Sequence, residues 1–217
     1  MFTFTPRLFL VVGNPASGKD ELIAAVNVIG SLHAEIVPKH TNRKWHADDY
    51  NEMICEKIPN PADPFADYID NPNYDIDNCD IVYENYGSKY GIKTVDIWDG
   101  LMRGTMQVLV VSNSKALNQL INAFGKLAVT LYVYSPITRD AYIKSTREKE
   151  ERTHVENPYY LVDEEYISSR VKRFDMSWNI YVDNFMLFDH VLIFADKQED
   201  LFDQIFRLFR AYERIIV

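Results

Sequence analysis

VVGNPASGKDELIAAV, residues 11–26, joins a short apolar run to a glycine-framed loop and then to a stretch whose apolar residues recur at helical spacing. Within it Gly13-Asn14-Pro15-Ala16-Ser17-Gly18-Lys19 fits the pattern GxxxxGK. In such a loop the glycines permit backbone angles that aim successive N–H groups inward, and the following helix presents its positive end. The lysine ammonium then meets the β and γ phosphates of a bound nucleotide. The loop therefore reads as a phosphate cradle between a strand and a helix, with Lys19 its main charge.

The next position is unusual. Ser or Thr there normally gives Mg²⁺ a hydroxyl ligand, whereas this chain has Asp20. A carboxylate beside a triphosphate is tolerable when the metal or a bound water lies between them. Other nucleotide-binding classes lack their markers. The NKxD base-reading motif of GTPases is absent, and VLVVSNS ends its apolar run at Ser112, where ABC- and AAA-type ATPases end a strand in Asp. Phosphoryl transfer to a small acceptor is the favoured chemistry.

Composition sets the bounds around this motif. The 217 residues are 47% hydrophobic and 25% charged, as in an ordinary globular protein with one substantial core. No apolar run reaches the roughly 18 residues that span a bilayer, and the apolar N-terminal run reads as a first strand rather than a signal peptide. A net charge of −9 argues against a chain held on nucleic acid by phosphate contacts. Cys55 and Cys79 are too few for a disulfide framework or a zinc site, so a reducing cytoplasm is the expected setting.

Apolar runs at residues 8–12, 108–111, 127–133 and 191–194 are rich in Val, Ile and Leu, as expected of strands buried on both faces. Helices after the glycine loop, at about 115–124 and at about 199–212, fit the gaps. The expected fold is α/β, a P-loop kinase core in which a parallel sheet is flanked by helices. Two stretches lie outside that pattern: residues 37–94, polar and aromatic, and residues 137–165, dense in charge. Both read as excursions that handle ligands.

IVYENYGSKYGIKTVDIWDGLMRGTMQVLVVSNSKALNQLINAFG, residues 81–125, resembles the guanylate kinase-like family: a Tyr-Gly pair, an amphipathic segment, a glycine, then a strand and a helix. KHTNRKWHADD is similar to that family's acceptor-phosphate loop, and FDHVLIFADKQEDLFDQI to its last strand and helix. The Gly-Lys-Asp ending of the loop, with Glu84 six residues before Tyr90 in front of Gly91-Ile92, is also similar to the ribose 1,5-bisphosphate phosphokinase branch.

The resemblance implies a single kinase domain. Its core would take in about 1–36, 95–136 and 166–217, with an inserted acceptor-binding lobe at about 37–94 and a lid at about 137–165. It implies ATP and Mg²⁺ as cofactors, with Gly13, Asn14, Ala16, Ser17, Gly18 and Lys19 around the phosphates and Asp20 toward the metal. Lys39, Arg43, His46, Asp49, Glu84 and Tyr90 would form the site for a small phosphorylated acceptor, Arg43 and Tyr90 holding its phosphate. His46 stands where the family has a second Arg, and Lys39 where it often has Ser. Arg147 or Arg152 on the lid and Arg170 on the next helix, with Arg173 as second choice, would reach the transferring phosphoryl group. Fixed cations are the main device for its loose transition state.

Guanine-reading positions of the family fall at Ile81, Ile92 and the stretch 110–112, which supply no carboxylate and no hydroxyl on the two isoleucines. GMP is accordingly expected to be a poor acceptor, unless Asp80 or Glu84 takes over. Two rival readings remain: a non-catalytic guanylate kinase-like module that binds a partner in the acceptor groove, and a kinase acting on a modified base in nucleic acid. Modules of the first kind usually have a degraded P-loop, whereas Lys19 is present here.

Overall fold

The structure, a computed structural model, describes residues 5–29, 33–42, 54–55, 75–85, 87–156, 162, 164–195 and 198–213. Its centre is strand β1 (Leu8–Gly13), six residues that are all buried. β1 lies between β7 (Met106–Val110) and β8 (Ala128–Tyr134), with Leu8 level with both Gln107 and Ala128. β2 (Ala34–Ile36) extends the sheet beyond β7, and β9 (His190–Ile193) extends it beyond β8, every pairing being parallel. The order β2-β7-β1-β8-β9 makes β1 the strand at which the chain changes direction across the sheet.

Because side chains alternate along a strand, β1 feeds two cores. Phe9 and Val11 pack with Leu22, Ile23 and Val26 of α1 (Lys19–Val28) and with Leu201, Ile205 and Phe209 of α6 (Gln198–Glu213). Leu8, Leu10 and Val12 point the other way, toward Ile97 and Leu101 of α2 (Thr94–Met102) and Leu117, Leu120 and Phe124 of α3 (Ser114–Phe124). Helices thus cover both faces, as the apolar runs predicted.

Local chemistry sets the helix ends. Asn113 caps α3 by accepting from the Ala116 N–H at 3.1 Å, and Gly125 closes it at φ 51°. In α6 the buried positions 201, 205 and 209 recur every four residues, with Glu199 and Asp200 in the first turn and Arg210 in the last. On the sheet's outer edge, Gln204 of α6 meets the backbone of Ile193 twice: its Oε1 accepts from the N–H at 3.0 Å and its Nε2 donates to the C=O at 2.8 Å.

The charged stretch forms α4 (Arg139–Glu156) and the start of α5 (Glu164–Asn184), and the two helices make a long hairpin. Tyr142 and Phe174 stack between the two helices at 4.8 Å, and Arg139 grips Asp175 with two hydrogen bonds of 2.8 and 3.0 Å. No helix among the described residues is long and apolar enough to cross a membrane.

Between β2 and α2 the chain builds a second, four-stranded sheet in the order β4-β3-β6-β5, from β3 (Lys39–Thr41), β4 (Ile54–Cys55), β5 (Ile81–Asn85) and β6 (Ser88–Ile92). Ile81, Tyr83 and Ile92 bury one face of it in the second core. His40 lies on the other face, where its Nδ1 accepts from the Asp75 N–H at 3.1 Å while Lys93 pairs with the Asp75 carboxylate at 2.7 Å. Burial and then the Lys93 charge lower the His40 pKa below the ordinary 6.5, outweighing Asp96 and Asp75.

A histidine depressed in the folded state binds fewer protons than in the unfolded chain. Its contribution to stability is whole above pH 6.5 and falls as pH drops from there through the folded value. Urea titrations at about pH 7.5 and about pH 5 should show a larger loss in the wild type than in His40→Gln, whose side-chain oxygen can still accept from Asp75. Equal losses would remove His40 from the pH response.

Candidate functional site

The loop leaves the C-terminal end of β1, the side on which open parallel sheets bind ligands at a change of direction. Two residues in the left-handed region make the turn: Ala16 at φ 59° and Gly18 at φ 95°. Ala16 is the non-glycine residue in that region among those described, a strained conformation of the kind held at ligand clamps. Gly18 has a second reason to be glycine, since a Cβ there would stand 2.7 Å from the Phe194 ring. A Cβ on Gly13 would stand 2.5 Å from the carbonyl oxygen of Val133 in β8.

The Asn14 carbonyl accepts from the Ser17 N–H at 3.1 Å, closing the loop, and the Gly18 carbonyl accepts from the Leu22 N–H at 2.9 Å, starting α1. The Lys19 ammonium folds back over this turn and donates to the carbonyl oxygens of Gly13 at 2.8 Å and Asn14 at 2.5 Å, with Ser17 Oγ at 3.5 Å. Asn14 and Ser17 are buried. Asp20 and Glu21 occupy the first turn of α1, with Asp20 exposed. The arrangement places a lysine ammonium, a helix N-terminus and a carboxylate at one end of the sheet.

Asp20 fits Mg²⁺ as a hard oxygen ligand. Among the described residues no three His, Cys, Asp or Glu side chains cluster as a metal cage, and Mg²⁺ held by one carboxylate together with phosphate oxygens needs none.

In the second sheet Tyr90 pairs with Tyr83 in β5 and with Thr41 in β3, so the three side chains share a face. The two tyrosine rings stack at 5.4 Å, and Thr41 Oγ1 donates to the Lys89 carbonyl at 2.8 Å. Lys39 shares that face by alternation and is buried. Glu84 does not join them, for it sits opposite Lys89, one residue on, and therefore on the reverse face of the hairpin from Tyr90. Arg43, His46 and Asp49 lie outside the described residues.

Of the positions expected to read guanine, Ile81 and Ile92 face each other across the hairpin inside the core, and half-buried Ser112 accepts from Asn85 Nδ2 through its Oγ at 2.7 Å. Asp80 caps the start of α2, its Oδ2 accepting from the Thr94 N–H at 2.7 Å and from Thr94 Oγ1 at 2.8 Å.

On the hairpin, Arg147 forks onto Glu164 with bonds of 2.6 and 2.8 Å, and this pairing raises the guanidinium pKa and lowers that of the carboxylate. Arg152 is exposed on α4, while Arg170 and Arg173 are half-buried on α5.

Sequence reasoning passed over Tyr132. It is 1% exposed in β8, and its hydroxyl donates to Asn14 Oδ1 at 3.0 Å. A tyrosine inside a strand buried on both faces is itself a signal, because its hydroxyl must find a partner there.

No protein-family model matches the chain, and no curated protein is similar to it. Among solved structures, guanylate kinase from Anaplasma phagocytophilum is similar over 99% of this chain and 89% of that one, with a TM-score of 0.57 and 12% sequence identity. At that identity the likeness is one of fold: the chain has an α/β architecture like that of a guanylate kinase, with the P-loop at the end of its central strand.

Proposed function

We propose that the chain is an ATP- and Mg²⁺-dependent phosphotransferase that moves the γ-phosphoryl group onto a small phosphorylated acceptor. The observation that carries this reading is the Lys19 ammonium lying on the carbonyls of its own loop, at the ligand-binding end of a parallel sheet. A lysine ammonium within reach of a helix N-terminus, at the exit of a GxxxxGK loop, can bind phosphate oxygens more strongly than it binds loop carbonyls. Mg²⁺, held through Asp20 and the phosphates, would neutralise charge on the β and γ oxygens. The lobe at about 37–94 would take the acceptor, with Tyr90 and Arg43 on its phosphate. The stretch at about 137–165 would serve as the lid, bringing Arg147, once released from Glu164, or Arg152 to the transferring group, with Arg170 reaching it from the following helix.

The acceptor is read as one other than GMP. Guanine placed against Ile81 and Ile92 would leave N–H donors unpaired, at on the order of 1–3 kcal/mol each, and Asp80 is committed to the start of α2. A ribosyl bisphosphate, which needs a phosphate grip and no base grip, suits the site better.

Three measurements test the reading. Lys19→Ala should keep the fold, checked by circular dichroism, and lose about 10²–10³-fold in turnover. An unreduced rate in the folded variant would overturn the assignment. A coupled assay with ATP, Mg²⁺ and a panel of GMP, dGMP, the other nucleoside monophosphates and ribose 1,5-bisphosphate should find its best acceptor outside guanine. Preference for GMP would refute the acceptor reading, and turnover of none would favour a binding module. With the best acceptor, Arg170→Ala should lower kcat by about tenfold or more while changing KM little. The reverse pattern would make Arg170 a binding charge.

A further inference from the structure

We infer that Tyr132 is a positioning residue for the phosphate loop, its hydroxyl fixing the Asn14 amide so that the Nδ2 donor end is presented to a polyphosphate oxygen. The inference rests on the phosphate-binding role proposed for the loop.

Asn14 is 4% exposed, yet its acceptors and donors are unequally served. Its carbonyl oxygen takes the Ser17 N–H and the Lys19 ammonium, and its side-chain oxygen takes the Tyr132 hydroxyl. No acceptor among the described residues meets Nδ2. Nδ2 is not among the buried side-chain atoms left without a partner, so the donor end of this nearly buried residue is the part that opens to solvent. In a loop whose neighbouring groups are a lysine ammonium and a helix N-terminus, an anionic oxygen is the ligand group that suits it.

Tyr132 decides which end of the amide is left over. Burial, and then the neighbouring Tyr181 and Tyr134, raise its phenol pKa, so the hydroxyl stays protonated and can act as a donor. Donation to Asn14 fixes the oxygen end of the amide and assigns the NH₂ end to the opposite side. The ring itself has little freedom: Tyr181 of α5 stacks on it at 4.3 Å, and Phe188 meets it edge-on at 5.4 Å. A phenylalanine would keep that packing and lose only the hydroxyl. The orientation of one loop amide is thereby set by a strand 118 residues away in sequence and by the helix that also carries Arg170.

The test is a double-mutant cycle read by calorimetric binding of ATP and of inorganic triphosphate, which has no base or sugar. Tyr132→Phe and Asn14→Ala should each weaken both ligands about three- to tenfold, and the double variant should bind no more weakly than Asn14→Ala alone. Melting temperatures measured without ligand report separately on packing. In wild-type protein the Asn14 side-chain ¹⁵N–¹H₂ signals should shift on addition of triphosphate, and in Tyr132→Phe they should broaden or move before any ligand is added. Wild-type affinity in Tyr132→Phe, or losses that simply add in the double variant, would overturn the positioning role while leaving the phosphate loop intact. Failure of the wild-type protein to bind either ligand would instead overturn the functional reading, and this inference with it.

Discussion

Everything in this molecule is arranged around a strand that offers water no face. β1 is buried along its whole length, so the sheet must receive helices on both sides and the chain must leave the strand by a turn at its end. Helix α1 has to begin almost at once to cover Phe9 and Val11, which compresses the exit into five residues with two left-handed backbone angles. The turn collects N–H groups and carbonyls that find few partners inside it. Lys19 satisfies the carbonyls, and the N–H groups are what an anion would use. The binding function proposed for this end of the sheet rests on the same burial that gives the strand its stability.

Local signals in the sequence reach as far as the central sheet and its helices. Continuous Val, Ile and Leu runs announced β1, β7, β8 and β9 to within two residues at each end, and α3 and α6 were placed by the gaps between those runs. β2 escaped because it is three residues long with an exposed Glu35 in the middle, too little for either period to register. The second sheet was read only as an excursion, since its partners are remote: Thr41 meets Tyr90 across a long intervening segment, and such pairing leaves no local mark. Within the site, the loop was legible because its chemistry is contiguous. The reverse-face position of Glu84 follows from strand alternation once the hairpin register is known, and the grip of Glu164 on Arg147 depends on how two helices fold together. Tyr132 belongs to the same class of long-range fact.

The helical hairpin is built on a different principle from the core. Its surface is mostly charged, and the links that hold it include a stacked pair of rings and arginine forks that stand in solvent. Exposed forks of this kind are screened by salt and contribute little to stability. Their geometry nevertheless fixes the pose of each guanidinium, so these forks define charge placement more than they add to stability. The aromatic contacts at the other end of α5, Tyr181 on Tyr132 and Trp178 on Tyr134 and Tyr181, are the firmer anchor.

Gln204 carries a consequence for how this protein keeps company with other copies of itself. A parallel sheet that ends in a strand with outward Val191 and Ile193 is an open template for another chain, the situation that seeds edge-to-edge association and fibrils. On β9 the residues that bond inward to β8 alternate with those whose peptide groups face out, and Ile193 is one of the latter. The Gln204 amide supplies one donor and one acceptor with the spacing of a neighbouring peptide, and so occupies the rung that an incoming strand would need for its register. One side chain from the protein's own helix thus acts as a counterfeit sixth strand, and the sheet ends where its next hydrogen bonds have already been made.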